Sequence, residues 1–203
     1  MAYRTSMTGA ILAGGKSSRF GQNKALYPVN GRSMIEWIID TLKKFTEELF
    51  IVANDPGQYA FLNIKVHEDR YPGLGPLAGL HTALTHARTN QVFVVACDMP
   101  FLCEALIKAM IEAAKETDTI VPYTEKGPEP LHAIYHKGLL LVVEHLIKGG
   151  RRSMRDLLAV APHKRLHAQR FQVLNINTKK ELENAIHLYD KCLSKKFPQR
   201  RKV

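Results

Sequence analysis

Short apolar runs recur along the chain, and they end at glycine, proline or polar residues. The two clearest runs are TGAILA at residues 8–13 and VFVVAC at residues 92–97. Runs of this length with almost no polar residue are typical of strands that are buried on both faces of a sheet. Further strands are predicted at residues 49–53, 63–67, 118–123, 131–135 and 171–176.

The segments between these runs repeat apolar residues three and four positions apart, which is the spacing of one helix face. Ser33 with Glu36 forms a capping box, and Thr178 with Glu181 forms a second one, so helices are expected to begin at both places. Strands that alternate with helices predict an α/β fold, with a mostly parallel sheet flanked by helices. The predicted helices cover residues 33–45, 75–87, 101–115, 137–149, 153–160 and 178–193.

Length and composition limit the architecture and the compartment. The 203 residues are enough for one domain with a sizeable core, onto whose sheet the last third of the chain is expected to pack. No apolar run approaches the roughly 20 residues of a membrane span. The N-terminal segment is broken too soon by glycine to be a secretory signal. Three cysteines, an odd number, are expected to be reduced thiols. We therefore expect a cytoplasmic protein that does not interact with membranes.

The net charge of +10 predicts attraction to anionic partners. Five of the positive charges lie in residues 195–202, and we expect residues 194–203 to form a flexible basic tail. The chain has no helix-turn-helix, zinc-finger or RNA-binding signature, so small anionic molecules are favoured over nucleic acid as partners.

The first predicted strand leads directly into a glycine-rich loop, LAGGKSSRFGQNK, at residues 12–24. Gly14 and Gly15 allow tight turns and a close approach of the backbone to a ligand, while Arg19 and Lys24 add positive charge. The loop is not a P-loop, because an alanine stands where that motif needs its first glycine, and it lacks the G-x-G-x-x-G fingerprint. From the loop sequence alone, residues 12–24 are interpreted either as a phosphate-binding loop or as a turn whose charged side chains are solvated.

A carboxylate follows the apolar run at residues 92–97 directly. Asp98 stands where this strand is expected to end. Ligands of open α/β sheets bind beyond the carboxyl ends of the strands where the strand order reverses, so Asp98 and the glycine loop are expected to face one crevice. A carboxylate opposite a triphosphate is a natural Mg²⁺ ligand. The alternative is that Asp98 caps the following helix.

Several segments together resemble a known family. The glycine loop is similar to the signature loop of bacterial nucleotidyltransferases, and the other segments resemble motifs of the molybdenum cofactor guanylyltransferases, in the family's order. This resemblance implies a Rossmann-like nucleotidyltransferase domain over residues 1–193. The matching segments are LAGGKSSRFGQNKAL (12–26), GPLAGL (75–80), CDMPFL (97–102), PLHAIY (130–135) and LNINT (174–178).

Two positions favour the guanine branch of this family over the similar molybdenum cofactor cytidylyltransferases. Those enzymes tend to carry Ala-Ala-Gly where residues 13–15 are AGG, and Asp-Gln-Pro where residues 98–100 are DMP. Phe20 departs from the family's usual methionine, but both side chains are apolar. The cytidylyltransferases are one alternative, and a sugar-phosphate nucleotidyltransferase with the same loop is another.

The resemblance implies transfer of GMP from GTP to the phosphate of molybdopterin, with release of pyrophosphate and with Mg²⁺ as the cofactor. It implies that Asp98 is the magnesium ligand, that Lys24 and Arg19 are catalytic groups facing the triphosphate, and that Asn175 and Asn177 meet the pterin. It also makes transient contact with cofactor-biosynthesis proteins or with recipient molybdoenzymes an expectation. The positions that match nucleotide contacts are Leu12, Ala13, Gly14, Gly15, Lys24, Asn54, Asp69 and Asp98.

Simpler structural roles remain open for some polar residues. Asp69 lies in HEDRYPG, where an aspartate often only makes a turn, and Asn177 directly precedes a predicted helix region. The three arginines within residues 151–155 could clamp a phosphate, although such clusters are more often solvated helix starts. His132 and His136 lie four apart on a predicted strand and are expected to pack against their neighbours rather than to bind a metal.

Overall fold

One central sheet organises the computed structural model, which describes residues 5–14, 23–114 and 118–196. The strands are β1 (Thr5–Leu12), β2 (Pro28–Val29), β3 (Arg32–Ser33), β4 (Thr46–Ala53), β5 (Lys65–Glu68), β6 (Gln91–Ala96), β7 (Ile120–Thr124), β8 (Gly127–Pro128), β9 (His132–His136) and β10 (Lys164–His167). The helices are α1 (Met34–Leu42), α2 (Pro76–His86), α3 (Glu104–Ala113), α4 (Leu140–Lys148), α5 (Met154–Val160) and α6 (Lys179–Lys196). None of the described helices is long and apolar enough to span a bilayer.

The strand order is β10-β7-β9-β6-β1-β4-β5, with β8 beside β7 and with β2 and β3 in a separate hairpin. The pairs β1–β4, β1–β6, β4–β5 and β7–β10 are parallel, whereas β9 is antiparallel to both β6 and β7. The prediction of a mostly parallel sheet, extended by the last third of the chain, is confirmed. Because the chain proceeds from β1 to β4 and β5 on one side and then to β6 on the other, the strand order reverses between β1 and β6.

The two faces of the sheet are covered by separate layers of helices. Phe93 and Val95 of β6 point into a core with α1 and α3, whereas Val92 and Val94 point into a core with α2, α4 and α5. Successive side chains of a strand alternate between faces, so a strand with helices on both sides needs apolar residues at every position. This double coverage explains the uninterrupted apolar run at residues 92–97.

The two helix starts predicted from capping boxes are confirmed, because α1 begins at Met34 and α6 at Lys179. The helices predicted from residues 101 and 137 begin three residues later, at Glu104 and Leu140, and α6 ends later than predicted, at Lys196. At α1 the Glu36 carboxylate accepts a hydrogen bond from the backbone N–H of Ser33 at 2.7 Å, as a capping box requires. At α6 the Thr178 hydroxyl accepts from the N–H of Glu181 at 3.1 Å. The Glu181 carboxylate, however, accepts from the N–H of Asn177 at 2.6 Å, one residue earlier than in a standard capping box.

The predicted strand at residues 171–176 is wrong. The chain there forms a 3-10 turn at Arg170–Gln172 and then an irregular segment, in which Val173 and Ile176 are buried in two different clusters. The strand that pairs with β7 at the edge of the sheet is β10 instead. Its sequence, KRLH, has a single apolar residue and therefore shows no strand pattern. An edge strand buries too little surface to need apolar alternation, so its pattern is weak.

The end of the chain is only partly described. Helix α6 continues to Lys196, and residues 197–203 lie outside the described residues. The division into a domain over residues 1–193 and a flexible tail over residues 194–203 therefore stays a prediction.

His132 on β9 is fully buried, and neither of its ring nitrogens has a hydrogen-bond partner within the described part of the chain. Its ring packs edge-on against Phe93, with 5.2 Å between ring centroids. Burial lowers the pKa of His132 to about 4, because the charged imidazolium would lose its hydration. The side chain thus acts as a neutral packing group, as expected, and makes the fold sensitive to acid.

We predict that His132→Leu makes the protein more resistant to mild acid. Between pH 6.5 and 4 the unfolded chain binds a proton at His132 that the folded protein does not bind, so the free energy of unfolding decreases as the pH falls through this window. Through this proton the wild-type protein loses about 2–3 kcal/mol of its free energy of unfolding between pH 7 and pH 4.5, and the variant should not show this loss. Any stability gained by removing the two unpaired nitrogens is measured separately, at pH 7. Urea denaturation at both pH values measures the difference. The exposed His145, changed to Gln, is the control, and equal pH dependence of His132→Leu and wild type would contradict the prediction.

Candidate active site

Four parallel strands end at one edge of the sheet, and the residues that follow them line a single cleft. Leu12 of β1 is in register with Val52 of β4 and Ala96 of β6, so the loops after these strands begin at the same level. The cleft has a volume of about 550 Å³. Among the predicted nucleotide-binding positions, its lining includes Leu12, Gly14, Asn54, Asp69 and Asp98. The crevice expected from the sequence is therefore present, and these predicted positions meet in it.

Asp98 and Lys24 form an ion pair at this cleft. The Lys24 ammonium lies 3.1 Å from Asp98 Oδ2, and it also donates to Asn177 Oδ1 at 2.9 Å. The side chains of Lys24 and Asp98 are only 12% and 24% exposed, so water screens their attraction weakly. Three predicted site residues from distant parts of the chain are thus in direct contact.

The helix-capping alternative for Asp98 does not hold. Helix α3 begins at Glu104, and Cys103 occupies its N-cap position. Phe101 and Leu102, between Asp98 and this helix, are buried. The position of Asp98 is therefore explained by the cleft and not by the helix that follows.

The second carboxylate oxygen of Asp98 suits a cation. Oδ1 is buried and has no hydrogen-bond partner among the described residues, and such an atom is costly unless a ligand satisfies it. Burial and the Asp98 charge raise the pKa of the neighbouring Cys97 thiol to about 12, so Cys97 stays neutral. The described residues contain no group of three His, Cys, Asp or Glu side chains that could hold a metal. A single carboxylate, completed by water and phosphate oxygens, is an arrangement that Mg²⁺ accepts.

Asn177 is held in place from both sides. The N–H of Ile176 donates to the carbonyl of Asp98 at 2.8 Å, and the Ile176 side chain is fully buried in a small cluster between α1 and α6. On the other side, the Asn177 N–H is bound by the Glu181 carboxylate at the start of α6. The LNINT segment thereby brings an amide side chain to the Lys24–Asp98 pair.

Tyr59, which sequence reasoning missed, joins the two described flanks of the glycine loop. Its hydroxyl donates to the carbonyl of Ala13 at 3.3 Å and accepts from the Asn23 amide at 3.0 Å. Burial raises the pKa of Tyr59 to about 12, so the hydroxyl keeps its proton. Asn23 in turn caps the 3-10 turn Lys24–Leu26, which positions Lys24. No motif around Tyr59 indicates this role, because it depends on the fold bringing the turn after β4 against the loop.

Two predicted residues of this loop, Gly15 and Arg19, lie outside the described residues. Their contact with a triphosphate stays a prediction. Ala13, just before them, is described: its N–H donates to the Val52 carbonyl at 2.8 Å and continues the strand pairing toward the cleft.

Asp69 both makes a turn and lines the cleft. Its Oδ1 accepts from the N–H of Tyr71 at 3.1 Å and from the hydroxyl of Thr82 at 3.2 Å. These bonds hold the loop after β5 in place, so the turn interpretation is correct without excluding a binding role. Asn54, which directly follows β4, is exposed at the same cleft.

The N-terminal turn of α2 also borders the cleft. Gly75, at its N-cap, has φ +81°, and a Cβ there would lie 3.2 Å from the Arg152 carbonyl oxygen, so glycine is required. Pro76 occupies the first helical position, which suits proline. The N–H groups at a helix start attract anions. The arginines of residues 151–155 are exposed, and only the backbone of Arg152 is shown next to Gly75. Arg151 lies 3.6 Å from Asp156, and the phosphate clamp stays a prediction.

Glu129 is a second carboxylate that sequence reasoning missed. Burial raises its pKa, a hydrogen bond with Asn175 lowers it, and the charge of Asp98 raises it again. These influences place Glu129 beside Asn175 and within electrostatic reach of Asp98. It directly precedes the PLHAIY segment, but nothing in its local sequence marks it as a site residue.

Comparison with known proteins gives a consistent result. The sequence model of the MobA-like NTP transferase domain matches residues 9–169. A protein of Desulfosudis oleivorans named molybdenum cofactor guanylyltransferase is 38% identical over 190 residues, which are 89% of this chain and 94% of that protein. A protein of Carboxydothermus hydrogenoformans named probable molybdenum cofactor guanylyltransferase is 46% identical over 143 residues, which are 70% and 72% of the two chains.

Solved structures agree on the fold. A protein of Aquifex aeolicus matches with a TM-score of 0.74 and 35% identity, over 85% of this chain and 94% of that one. The molybdopterin-guanine dinucleotide biosynthesis protein A of Archaeoglobus fulgidus matches with a TM-score of 0.73 and 26% identity, over 91% and 99% of the two chains.

We predict that Lys24 and Asp98 are energetically coupled in the absence of any ligand. Each single change, Lys24→Met or Asp98→Asn, leaves one poorly solvated charge without its partner, whereas the double variant removes both charges. Urea denaturation of the four proteins should give a coupling free energy of about 1–2 kcal/mol, reduced from the value for a fully buried pair because both side chains retain some exposure. Simple additivity of the two single changes would contradict the prediction.

Proposed function

The chain belongs to the MobA-like NTP transferase family, and from this premise we propose that it is a molybdenum cofactor guanylyltransferase. It transfers GMP from GTP to the phosphate of molybdopterin, forms the guanine dinucleotide cofactor and releases pyrophosphate. The observation that carries this proposal is the contact of Lys24 with both Asp98 and Asn177, which unites three family motifs in one cleft. The two sequence relatives described above carry the name of the guanine branch, which supports the same activity and does not favour the cytidylyl or sugar-phosphate alternatives.

Catalysis of this reaction depends on neutralising the charge of the phosphates rather than on a covalent intermediate with the protein. An oxygen of the molybdopterin phosphate attacks the α-phosphorus of GTP, the new P–O bond forms, and the bond to pyrophosphate breaks. The attacking oxygen is already anionic, so neither a protein nucleophile nor a general base is required. The protein's part is to hold two mutually repelling anions in line and to neutralise their charge.

We propose Mg²⁺ as the cofactor, with Asp98 as its protein ligand. The unpartnered Asp98 Oδ1, the nearby cleft and the neutral Cys97 thiol all fit a hard cation bound through one carboxylate. When bound, the ion would offset the negative charge that develops on the phosphate oxygens. Lys24, which pairs with Asp98, is proposed to bind a phosphate oxygen, and Arg19 is proposed to do the same.

The part of the cleft that is lined by Asn54 and Asp69 is proposed to bind the guanine base. Guanine presents ring N–H and amino donors, which need carbonyl or carboxylate acceptors. Asp69 and Asn54 supply such oxygens after β5 and β4, and Leu12, Ala13, Gly14 and Gly15 are proposed to contact the nucleotide beside them. A site that pairs these donors strongly rejects a base that lacks them. On the opposite side, Asn175 and Asn177 are proposed to contact the acceptor.

We predict a strong preference for GTP. Incubation with Mg²⁺ and molybdopterin should give pyrophosphate with GTP at a kcat/KM at least about a hundredfold above that with CTP, ATP or UTP, because unmatched polar groups in the base site are costly. The dinucleotide product is isolated by chromatography to confirm the acceptor, and glucose 1-phosphate serves as the control acceptor. Preference for CTP would assign the protein to the cytidylyltransferases, and a lack of pyrophosphate with every nucleotide would refute the proposal.

We predict that Asp98→Asn nearly abolishes turnover while the fold is retained. The change preserves the side-chain shape and the backbone bond from Ile176, but it removes the charge that a cation needs. The expected loss in kcat is about a hundred- to a thousandfold, with a raised Mg²⁺ requirement. Asp118→Asn, which alters an ion pair with Lys164 outside the cleft, is the matched control. Near-normal activity of Asp98→Asn would exclude the metal-ligand role.

A further inference from the structure

A second cleft, of about 590 Å³, lies between the segment that follows β10 and helix α6. One wall is formed by residues 167–171 and the other by one face of α6, where Asn184 and Leu188 lie. Leu174 and Asn175 also line it. Residues 175–177 therefore run from this second cleft to the Lys24–Asp98 pair, which Asn177 contacts.

Two large apolar side chains are exposed in the second cleft. Phe171 on one wall is 44% exposed and Leu188 on the other is 42% exposed, and both line the same space. Large apolar side chains left in water at facing positions of a cleft are typical of a ligand site. A phenylalanine face in particular suits a flat ring, which can stack on it.

Polar groups surround this apolar pair. Arg170 and Asn184 contribute donors, and Asn184 and the carboxylates of Glu125 and Glu181 contribute acceptors. A mixture of donors and acceptors around an aromatic platform fits a flat heterocycle with both kinds of group on its edge. It does not fit a fatty chain, which would leave these groups unpaired.

The connection to the first cleft limits the reach that a ligand needs. Asn175 lines the second cleft, and Asn177, two residues on, contacts Lys24. Two residues of extended chain span at most about 7 Å. A molecule with its ring in the second cleft could therefore place a phosphate near Lys24 and Asp98 by passing the Asn175 side chain.

We propose that the second cleft holds the ring system of the acceptor, a 2-amino-4-oxo-pyrimidine fused heterocycle, with Phe171 as its stacking platform. This proposal rests on the proposed function, which supplies the acceptor's identity. Arg170, Asn184 and the two glutamates then contact the edge of the ring, and Asn175, two residues from Asn177, guides the phosphate arm toward Lys24. The nucleotide occupies the first cleft, so acceptor and donor approach from different clefts.

Guanine carries the same 2-amino-4-oxo-pyrimidine edge as a pterin, so the experiment compares the two ligands. Binding of molybdopterin and of GTP is measured separately by equilibrium dialysis, and the KM for each is measured by pyrophosphate release. The proteins are wild type, Phe171→Ala, Phe171→Trp and Asn184→Leu. Phe61→Ala is the matched control, because Phe61 is 66% exposed and is not among the residues that line either cleft.

Phe171→Ala should raise the Kd and KM for molybdopterin about tenfold or more, the size expected when a stacking platform is lost, and leave the KM for GTP unchanged. Phe171→Trp should restore binding, Asn184→Leu should weaken it, and Phe61→Ala should change nothing. Unchanged molybdopterin binding in Phe171→Ala overturns the proposal, as does an effect on GTP instead of molybdopterin.

Failure of the proposed function would look different. Suppose that wild type binds molybdopterin but transfers no nucleotide to it, and that Phe171→Ala loses this binding. The proposal of a ring site is then supported, and the proposed guanylyltransferase activity is refuted. If wild type transfers GMP normally and Phe171→Ala is indistinguishable from it, the activity stands and the ring site falls. If wild type does not bind molybdopterin at all, both are refuted.

Discussion

The pairing of β1 with its two parallel neighbours is the constraint on which the site depends. Leu12 faces Val52 on one side and Ala96 on the other, and the backbone bonds continue one residue past the strands, from Ala13 to Val52 and from Cys97 to Leu12. A shift of one residue in either pairing would turn every apolar side chain of that strand to the opposite face. Because both faces are buried, the register is strongly determined, and the strand ends are brought to one level.

Because the strands end at one level, Asp98 lies in a partly buried position where its charge needs a partner. Lys24 pairs with one of its carboxylate oxygens, whereas the other oxygen has no partner among the described residues. A carboxylate in this condition favours a cation and a phosphate-bearing ligand over an empty cleft. Glu129, whose pKa the Asp98 charge helps to raise, adds a second acidic group behind Asn175. The Mg²⁺ that we propose would satisfy the Asp98 oxygen that no described residue contacts.

The course of residues 175–177, from the second cleft to the Lys24–Asp98 pair, gives a physical reason for the LNINT motif. Alternate residues of this segment have different tasks: Asn177 accepts a hydrogen bond from Lys24 and Asn175 lines the second cleft, whereas Ile176 is buried and its N–H donates to the Asp98 carbonyl. The apolar residues at 171–176 predict a strand. The structure uses them as anchors instead, because Val173 and Ile176 are buried in two different clusters on either side of an irregular segment.

The sequence by itself determined the α/β class and the order of the main strands and helices, because apolar periodicity and capping boxes are local properties of the chain. It also placed Asp98 and the glycine loop at one crevice, since both follow buried strands, whereas Asn177 was indicated only by the resemblance to the family. Only the tertiary structure decided the roles of Tyr59 and Glu129, the place of β10 and the existence of the second cleft. These features arise from contacts between residues far apart in the chain, which no local pattern of apolar and polar residues encodes.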